Sequence, residues 1–204
     1  MTTFLLVRHA AAQAPPGVLI GRNRELGLSV AGKDRAGRLA RRLRGLPISS
    51  VWSSPLMRAI DTATVIASEL TLPVQISEAM NEVDYGEWTG RSFAELESDP
   101  RWRSFNTVRS QTAVPGGESM QQVEHRVAER LELWAQHYPA NLVVVVTHAE
   151  IIRIAVLQTL GLPIDCFDRI EISPGSICAL SWSGYSKRLI CLNEGGELKG
   201  RAES

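Results

Sequence analysis

Two apolar runs that each lead into a histidine most constrain what this chain can fold into. Phe4–Val7 runs into Arg8 and His9, and Leu142–Val146 is followed closely by His148. Apolar runs of this length, bounded by polar or turn-forming residues, are typical of strands buried in a parallel sheet. In open α/β sheets, ligands bind beyond the carboxyl ends of the strands. The two runs therefore predict a parallel sheet with a histidine-bearing site at that edge.

Helix signals alternate with the predicted strands. Ser29 is a plausible N-cap, Ser54-Pro55 predicts an N-cap followed by proline at the first helical position, and Ser119 with Gln122 has capping-box spacing. We predict strands at 4–7, 48–53, 73–76 and 141–147, helices at 30–44, 55–70, 120–138 and 149–160, and a hairpin of 176–183 with 187–192. The order predicts a three-layer α/β/α sandwich with a mostly parallel central sheet and an antiparallel edge hairpin.

The length of 204 residues, without an internal repeat or a low-complexity linker, predicts one domain over residues 1–204. Residues 78–118 carry little regular signal beyond short helical candidates at 93–97 and 102–108. A connection this long is uncommon in a compact domain unless it is functional. We therefore expect it to act as a lid or as a substrate-specificity segment.

Composition argues against several classes of partner. The 22 lysines and arginines balance the 22 aspartates and glutamates, so no global charge favours nucleic acid. No apolar run reaches the roughly 18 residues of a membrane helix. Three cysteines without pairing spacing, and no leader-like start, predict a cytoplasmic protein with reduced thiols. The edge hairpin leaves a homodimer open.

Basic side chains gather at the predicted carboxyl edge. Arg8 and His9 follow the first strand, Ser53 and Arg58 follow the second, and His148 follows the fourth. The planar fork of arginine matches phosphate oxygens, and a helix N-terminus adds free N–H groups. We therefore expect a small-molecule phosphate ester as the substrate.

Histidine is the best nucleophile that this edge offers. The chain has no GxxxxGK[ST] loop, no DxD-type metal cluster and no CxxxxxR thiol loop. A neutral imidazole nitrogen can attack phosphorus, but the leaving alcohol then needs a proton donor. The segment 78–118 offers four candidates for that donor, which are Glu82, Asp84, Glu87 and Glu118.

Five motifs in register resemble those of the histidine phosphatase superfamily, in its phosphoglycerate-mutase-like branch. Leu6–Ala10 resembles the RHG motif, and 53–63 resembles SSxLxRAxxTA. Residues 81–90 resemble the segment that carries the acid, 115–119 match PGGES, and 146–153 resemble VSHGxxIR. The motifs follow the family's order and cover nearly the whole chain.

The resemblance implies a role for each matching residue. His9 would be the nucleophile and would become phosphorylated on one ring nitrogen. Arg8, Arg58 and His148 would hold the phosphoryl oxygens. Glu82 would protonate the leaving alkoxide and then activate water. Neither a metal nor a cofactor is implied.

Three departures from the family pattern carry expectations of their own. Ala10 replaces a glycine, and we expect activity to survive this change. The asparagine that often follows has no clear counterpart, so we expect one phosphate contact to be missing or to be supplied from elsewhere, with Arg22 and Ser53 as the candidates. Glu150, beside His148, replaces a small residue and is expected to repel highly charged substrates.

The leading functional prediction is a metal-independent phosphomonoester hydrolase. A phosphoglycerate mutase is the alternative within the same superfamily, although the compact chain favours hydrolysis. A non-catalytic phosphate-binding regulatory module is the third reading, and the intact set of basic and acidic motif residues argues against it.

Overall fold

A six-stranded sheet forms the centre of the computed structural model, which describes residues 1–195. The strands are β1 (Thr2–Arg8), β2 (Ile48–Ser53), β3 (Val74–Ile76), β4 (Leu142–Thr147), β5 (Ile177–Ser183) and β6 (Ser186–Glu194). Their order across the sheet is β3-β2-β4-β1-β5-β6. The first four strands are mutually parallel, whereas β5 and β6 are antiparallel additions at one edge. The predicted sheet is thereby confirmed.

Helices cover both faces of this sheet. They are α1 (Val30–Leu43), α2 (Met57–Leu70), α3 (Phe93–Glu97), α4 (Pro100–Thr107), α5 (Met120–His137) and α6 (Ala149–Leu160). Leu5 and Val7 of β1 pack in one core with α1 and α2. Phe4 and Leu6 point to the opposite face and pack with α5 and α6. This alternation confirms the three-layer sandwich.

None of the helices within residues 1–195 combines the length and the apolar composition that a membrane crossing requires.

Most predicted boundaries agree with the structure, but the start of α2 does not. Ser29 caps α1 by accepting from the N–H of Gly32, and Ser119 with Gln122 forms the predicted capping box. The sequence predicted Ser54 as the cap of α2, yet the N-cap is Leu56. The prediction was wrong because the Ser54 hydroxyl lies 2.7 Å from Nε2 of His148 and serves the site instead.

The segment 78–118 is an ordered cover built on aromatic contacts. The ring centroid of Trp88 lies 5.2 Å from that of Trp102 and 5.4 Å from that of Phe105. Two hydrogen bonds from Ser110 to Asp165 fasten it to residues 164–169. The short helices predicted at 93–97 and 102–108 are confirmed as α3 and α4, and buried aromatic side chains pack a segment whose sequence carries little other regular signal.

Replacing Gly32 with alanine is expected to lower the free energy of unfolding by about 1–3 kcal/mol, because overpacking carries that cost. A Cβ at this position would lie 2.0 Å from the carbonyl oxygen of Ala11, in the loop that follows β1. Urea denaturation of the two proteins measures the difference.

Gly37→Ala is the matched control in the same helix. A Cβ there would meet only the end of the Arg41 side chain, at 3.6 Å. The higher helix propensity of alanine should then raise stability by up to about 1 kcal/mol. Equal effects of the two substitutions would contradict the close approach of α1 to the β1 loop.

Candidate active site

The structure brings together the two histidines that the sequence places 139 positions apart, at 9 and 148. β1 and β4 are adjacent and parallel, with Arg8 opposite Thr147 in the register. The next residue of each strand, His9 or His148, therefore lies at the carboxyl edge. Their ring centroids are 5.2 Å apart, and both side chains are buried.

The hydrogen bonds of His9 leave Nε2 as the unprotonated nitrogen of its ring. Nδ1 lies 2.8 Å from the carbonyl oxygen of Ala10, which can only accept, so Nδ1 carries the proton. Nε2 accepts from Nε of Arg58 at 3.2 Å. Burial, together with the charge of Arg58, lowers the pKa of His9 to about 3. The ring is neutral at physiological pH, as a nucleophile must be.

Arg58 is almost fully buried and is held from several directions. Its Nη2 donates to the carbonyl of Gly21 at 2.8 Å, and its Nη1 donates to that of Asn23 at 3.1 Å. Nη2 also lies 3.4 Å from Nδ1 of His148. The loop after β1 thus fixes a guanidinium between the two histidines, where an anionic phosphoryl group would be stabilised.

Arg58 determines which ring nitrogen of His148 carries the proton. Because an arginine can only donate, Nδ1 of His148 accepts from Arg58, and Nε2–H then donates to the Ser54 hydroxyl. Burial and the neighbouring His9 and Arg58 hold the pKa of His148 well below its usual value. A hydroxyl can either donate or accept, so Ser54 is compatible with both tautomers of the ring.

Glu82 is the carboxyl group closest to this cluster. Its Oε2 lies 3.8 Å from Nδ1 of His148, and its Oε1 accepts from the N–H of Val83 at 2.9 Å. Burial outweighs the charge of Arg58 and raises the pKa of Glu82. The lowered pKa of His148 keeps its ring neutral, so the contact at 3.8 Å is not an ion pair. A raised pKa favours the protonated form of a carboxyl group, which is the form that a general acid needs.

The other three acidic candidates have different partners. Asp84 pairs with Arg22, and Glu87 is exposed and pairs with Arg101. Burial raises the pKa of Glu118, but hydrogen bonds from Arg126 outweigh that effect and lower it. Among the four candidates, only Glu82 contacts the histidine cluster, so the geometry favours Glu82 as the candidate proton donor.

Arg8 projects beside the same cluster from the end of β1. Its Nη1 donates to the carbonyl of Ile172 at 2.5 Å. Its buried Nε has no hydrogen-bond partner within residues 1–195. An unpaired buried N–H donor carries a cost that an oxyanion would remove.

Arg22 and Ser53, the candidates to replace the missing asparagine, have other partners in the structure. Arg22 donates to the carbonyl of Glu82 and to the carboxylates of Asp84 and Glu118. The Ser53 hydroxyl donates to the carbonyl of Ser54 at 2.8 Å. No hydrogen bond within residues 1–195 joins either side chain to His9.

The structure shows the surroundings of the two other departures from the family pattern, Ala10 and Glu150. Ala10 does not have a positive φ, so the backbone there does not require glycine, and its N–H donates to the hydroxyl of Thr62 at 3.1 Å. Glu150 forms ion pairs with Arg109 and Arg153. Its charge is therefore compensated, which weakens the expected repulsion of charged substrates.

Sequence reasoning missed three side chains that act around the site. Ser54 lies within the motif at 53–63, and its position next to Ser53 was the sequence signal that could have identified it as a site residue. Arg126 donates to the carbonyl of Glu82, and Arg109 packs over the ring of Phe167 and pairs with Glu150. Nothing in the sequence distinguishes these two arginines from exposed ones.

A family model described as histidine phosphatase superfamily, branch 1, matches residues 4–195. Phosphoserine phosphatase 1 of Hydrogenobacter thermophilus is 33% identical over 172 residues, which cover 82% of this chain and 80% of that protein. A bifunctional protein of Mycobacterium tuberculosis is 34% identical over 158 residues, covering 74% of this chain. The chain matches only 42% of the length of that larger relative.

A solved structure has the same fold. It is a putative alpha-ribazole-5'-P phosphatase from Escherichia coli, with a TM-score of 0.85 and 24% sequence identity. The match covers 96% of this chain and 97% of that chain.

His9→Asn is expected to flatten the pH dependence of stability in acid. The pKa of His9 is about 3 in the folded chain against an ordinary 6.5, so the unfolded chain binds the extra proton between these values. The free energy of unfolding therefore rises with pH through this window, by at most about 1.4 kcal/mol per pH unit for one histidine. Urea denaturation at several pH values within it measures the slope.

His125→Asn is the control, because His125 is exposed on α5. His125→Asn should change the dependence of the unfolding free energy on pH less than His9→Asn does. If His9→Asn and the wild type have equal slopes, His9 does not have the lowered pKa described above.

Proposed function

The chain belongs to the histidine phosphatase superfamily, and we propose that it is a metal-independent phosphomonoester hydrolase that acts through a phosphohistidine on His9. The family match confirms the resemblance of the five sequence motifs. One relative that matches over four fifths of its own length is named a phosphoserine phosphatase. The proposed substrates are phosphate monoesters of small molecules.

One observation carries the proposal: a neutral histidine, a buried cation and a carboxyl group with a raised pKa meet in one place. Nε2 of His9 accepts from Nε of Arg58 at 3.2 Å, and Nη2 of the same arginine reaches His148. Glu82 approaches His148 from the other side, at 3.8 Å. Phosphoryl transfer to a histidine requires these three functions together.

In the first step, the Nε2 lone pair of His9 attacks phosphorus, and the bond from phosphorus to the ester oxygen breaks. The proton of Glu82 moves to that oxygen, so an alcohol leaves rather than an alkoxide. Arg8, Arg58 and His148 stabilise the charge on the equatorial oxygens. With the ester bound, His148 would take its other neutral tautomer, in which Nδ1–H donates to a phosphoryl oxygen and Nε2 accepts from the Ser54 hydroxyl.

In the second step, water attacks the phosphorus of phosphohistidine. The Glu82 carboxylate accepts a proton from the water, while the nitrogen–phosphorus bond breaks and its electron pair returns to Nε2 of His9. Inorganic phosphate leaves, and Glu82 is protonated again. One carboxyl group thus serves as acid and then as base.

Metal independence follows from the charge that the residues supply. A divalent cation in phosphoryl-transfer enzymes neutralises the developing negative charge. Here the buried guanidinium of Arg58 and the half-buried one of Arg8 would supply that charge in a site of low dielectric constant. A chelator should therefore leave turnover unchanged.

Phosphate release from p-nitrophenyl phosphate and from a panel of metabolite phosphates, with a chelator present, tests the proposal. His9→Ala should abolish turnover because it removes the nucleophile. Glu82→Gln should lower kcat for alkyl esters by about 10²–10⁴, which is the usual contribution of general acid–base catalysis.

The outcomes separate the alternatives. Turnover that survives His9→Ala would contradict the mechanism, and loss of turnover with the chelator would contradict metal independence. Phosphoryl transfer between 2- and 3-phosphoglycerate without phosphate release would identify a mutase. Wild-type protein that binds phosphate esters and transforms none of them would favour the regulatory module.

A further inference from the structure

Three parts of the chain converge on the peptide group that follows Glu82. Arg22 comes from the loop after β1, Arg126 comes from α5, and Glu118 comes from the turn before α5. We infer that these three residues form a clamp that positions Glu82 for proton transfer. The inference rests on the proposed function, in which Glu82 is the proton donor.

The clamp holds the carbonyl oxygen of Glu82. Nε of Arg22 donates to this oxygen at 2.8 Å, and Nη2 of Arg126 donates to it at 3.2 Å. Hydrogen bonds from charged donors are stronger than those between neutral groups. Two guanidiniums on one carbonyl therefore fix the orientation of the peptide group.

The same peptide group holds the reacting carboxyl group from its other edge. Its N–H belongs to Val83 and donates to Oε1 of Glu82 at 2.9 Å. Because a peptide group is planar, fixing its carbonyl also fixes the direction of its N–H. The two arginines thus control where Oε2 lies, although neither is bonded to the carboxyl group.

Glu118 joins the two arginines and anchors the neighbouring backbone. Its Oε2 accepts from Arg22 at 2.8 Å and from Arg126 at 3.1 Å, and its Oε1 accepts from Nε of Arg126 at 3.0 Å. Oε2 also accepts from the N–H of Asp84 at 3.1 Å. Nη1 of Arg126 donates to the carbonyl of Ala79 at 2.6 Å. The segment is therefore anchored before, at and after Glu82.

Together with Asp84, the clamp residues carry as many negative charges as positive ones. The guanidiniums of Arg22 and Arg126 are balanced by the carboxylates of Glu118 and Asp84. A neutral cluster can hold the backbone without shifting the pKa of Glu82 strongly. A misplacement of about 1 Å can cost a reaction about 10²-fold, so positioning is the effect to measure.

The dependence of kcat/KM on the leaving group distinguishes a misplaced Glu82 from a smaller amount of folded protein. An alkoxide must be protonated as it leaves, whereas nitrophenolate leaves readily without help. We would compare kcat/KM for p-nitrophenyl phosphate with that for an alkyl ester, using whichever of phosphoserine and β-glycerophosphate the wild type hydrolyses faster. Arg126→Lys should lose about tenfold on the alkyl ester and less than about twofold on the aryl ester.

Two further variants provide a second test of the clamp and a matched control. Arg22→Lys changes the clamp from a different element and should show the same selective loss, even if Arg126→Lys folds poorly. Arg130→Lys is the matched control, because Arg130 lies one turn further along α5 and contacts Trp134. It should leave both activities unchanged, and inhibition by inorganic phosphate should be the same in all folded variants.

A double variant shows whether the arginine acts through the acid. In the Glu82→Gln background, Arg126→Lys should cause no further loss on the alkyl ester, because the group it positions is gone. The pH at which alkyl-ester turnover declines should stay unchanged in Arg126→Lys alone. Additive losses, or equal losses on both esters, would overturn the clamp.

The two proposals fail in different ways. If Glu82→Gln is selective for the alkyl ester while both arginine variants are not, the clamp is overturned and the proposed function stands. If Glu82→Gln is not selective, Glu82 is not the proton donor, and the clamp is overturned with it.

Discussion

The guanidinium of Arg58, buried between two histidines, is the interaction on which the rest of this site depends. It bonds Nε2 of His9 and reaches Nδ1 of His148, and the carbonyls of Gly21 and Asn23 hold it in place. A buried cation is costly unless its donors are satisfied. This requirement explains why the loop after β1 returns to the carboxyl edge of the sheet.

The same cation accounts for the electrostatic state of its neighbours. Together with burial, it lowers the pKa of His9, so that the proposed nucleophile stays neutral. It also opposes the rise in the pKa of Glu82, but burial prevails there. One buried pocket thus lowers the pKa of a base and raises the pKa of an acid, and acid–base chemistry on phosphate esters uses such a pair.

Much of this architecture could be predicted from the sequence, because local patterns carry it. Apolar runs specify the buried strands, and the caps at Ser29 and Ser119 specify two helix starts. The cap at Ser54 failed because its hydroxyl bonds a histidine 94 positions away, and no local pattern reports that contact. The partners of Arg22 could not be predicted either, because a sequence does not show which acceptors surround a guanidinium. Arg126 resembles Arg130 in sequence and differs from it only through contacts that the tertiary fold creates.

Identifying the phosphorylated atom would test the central claim most directly. The protein would be mixed with p-nitrophenyl phosphate, quenched under alkaline conditions that preserve phosphohistidine, digested and mapped by mass spectrometry, with His9→Ala as the parallel sample. We predict one added phosphoryl group on the peptide that contains His9, labile to acid, and none in the variant. A phosphoryl group on any other residue, or rapid turnover with no labelled peptide, would contradict the account.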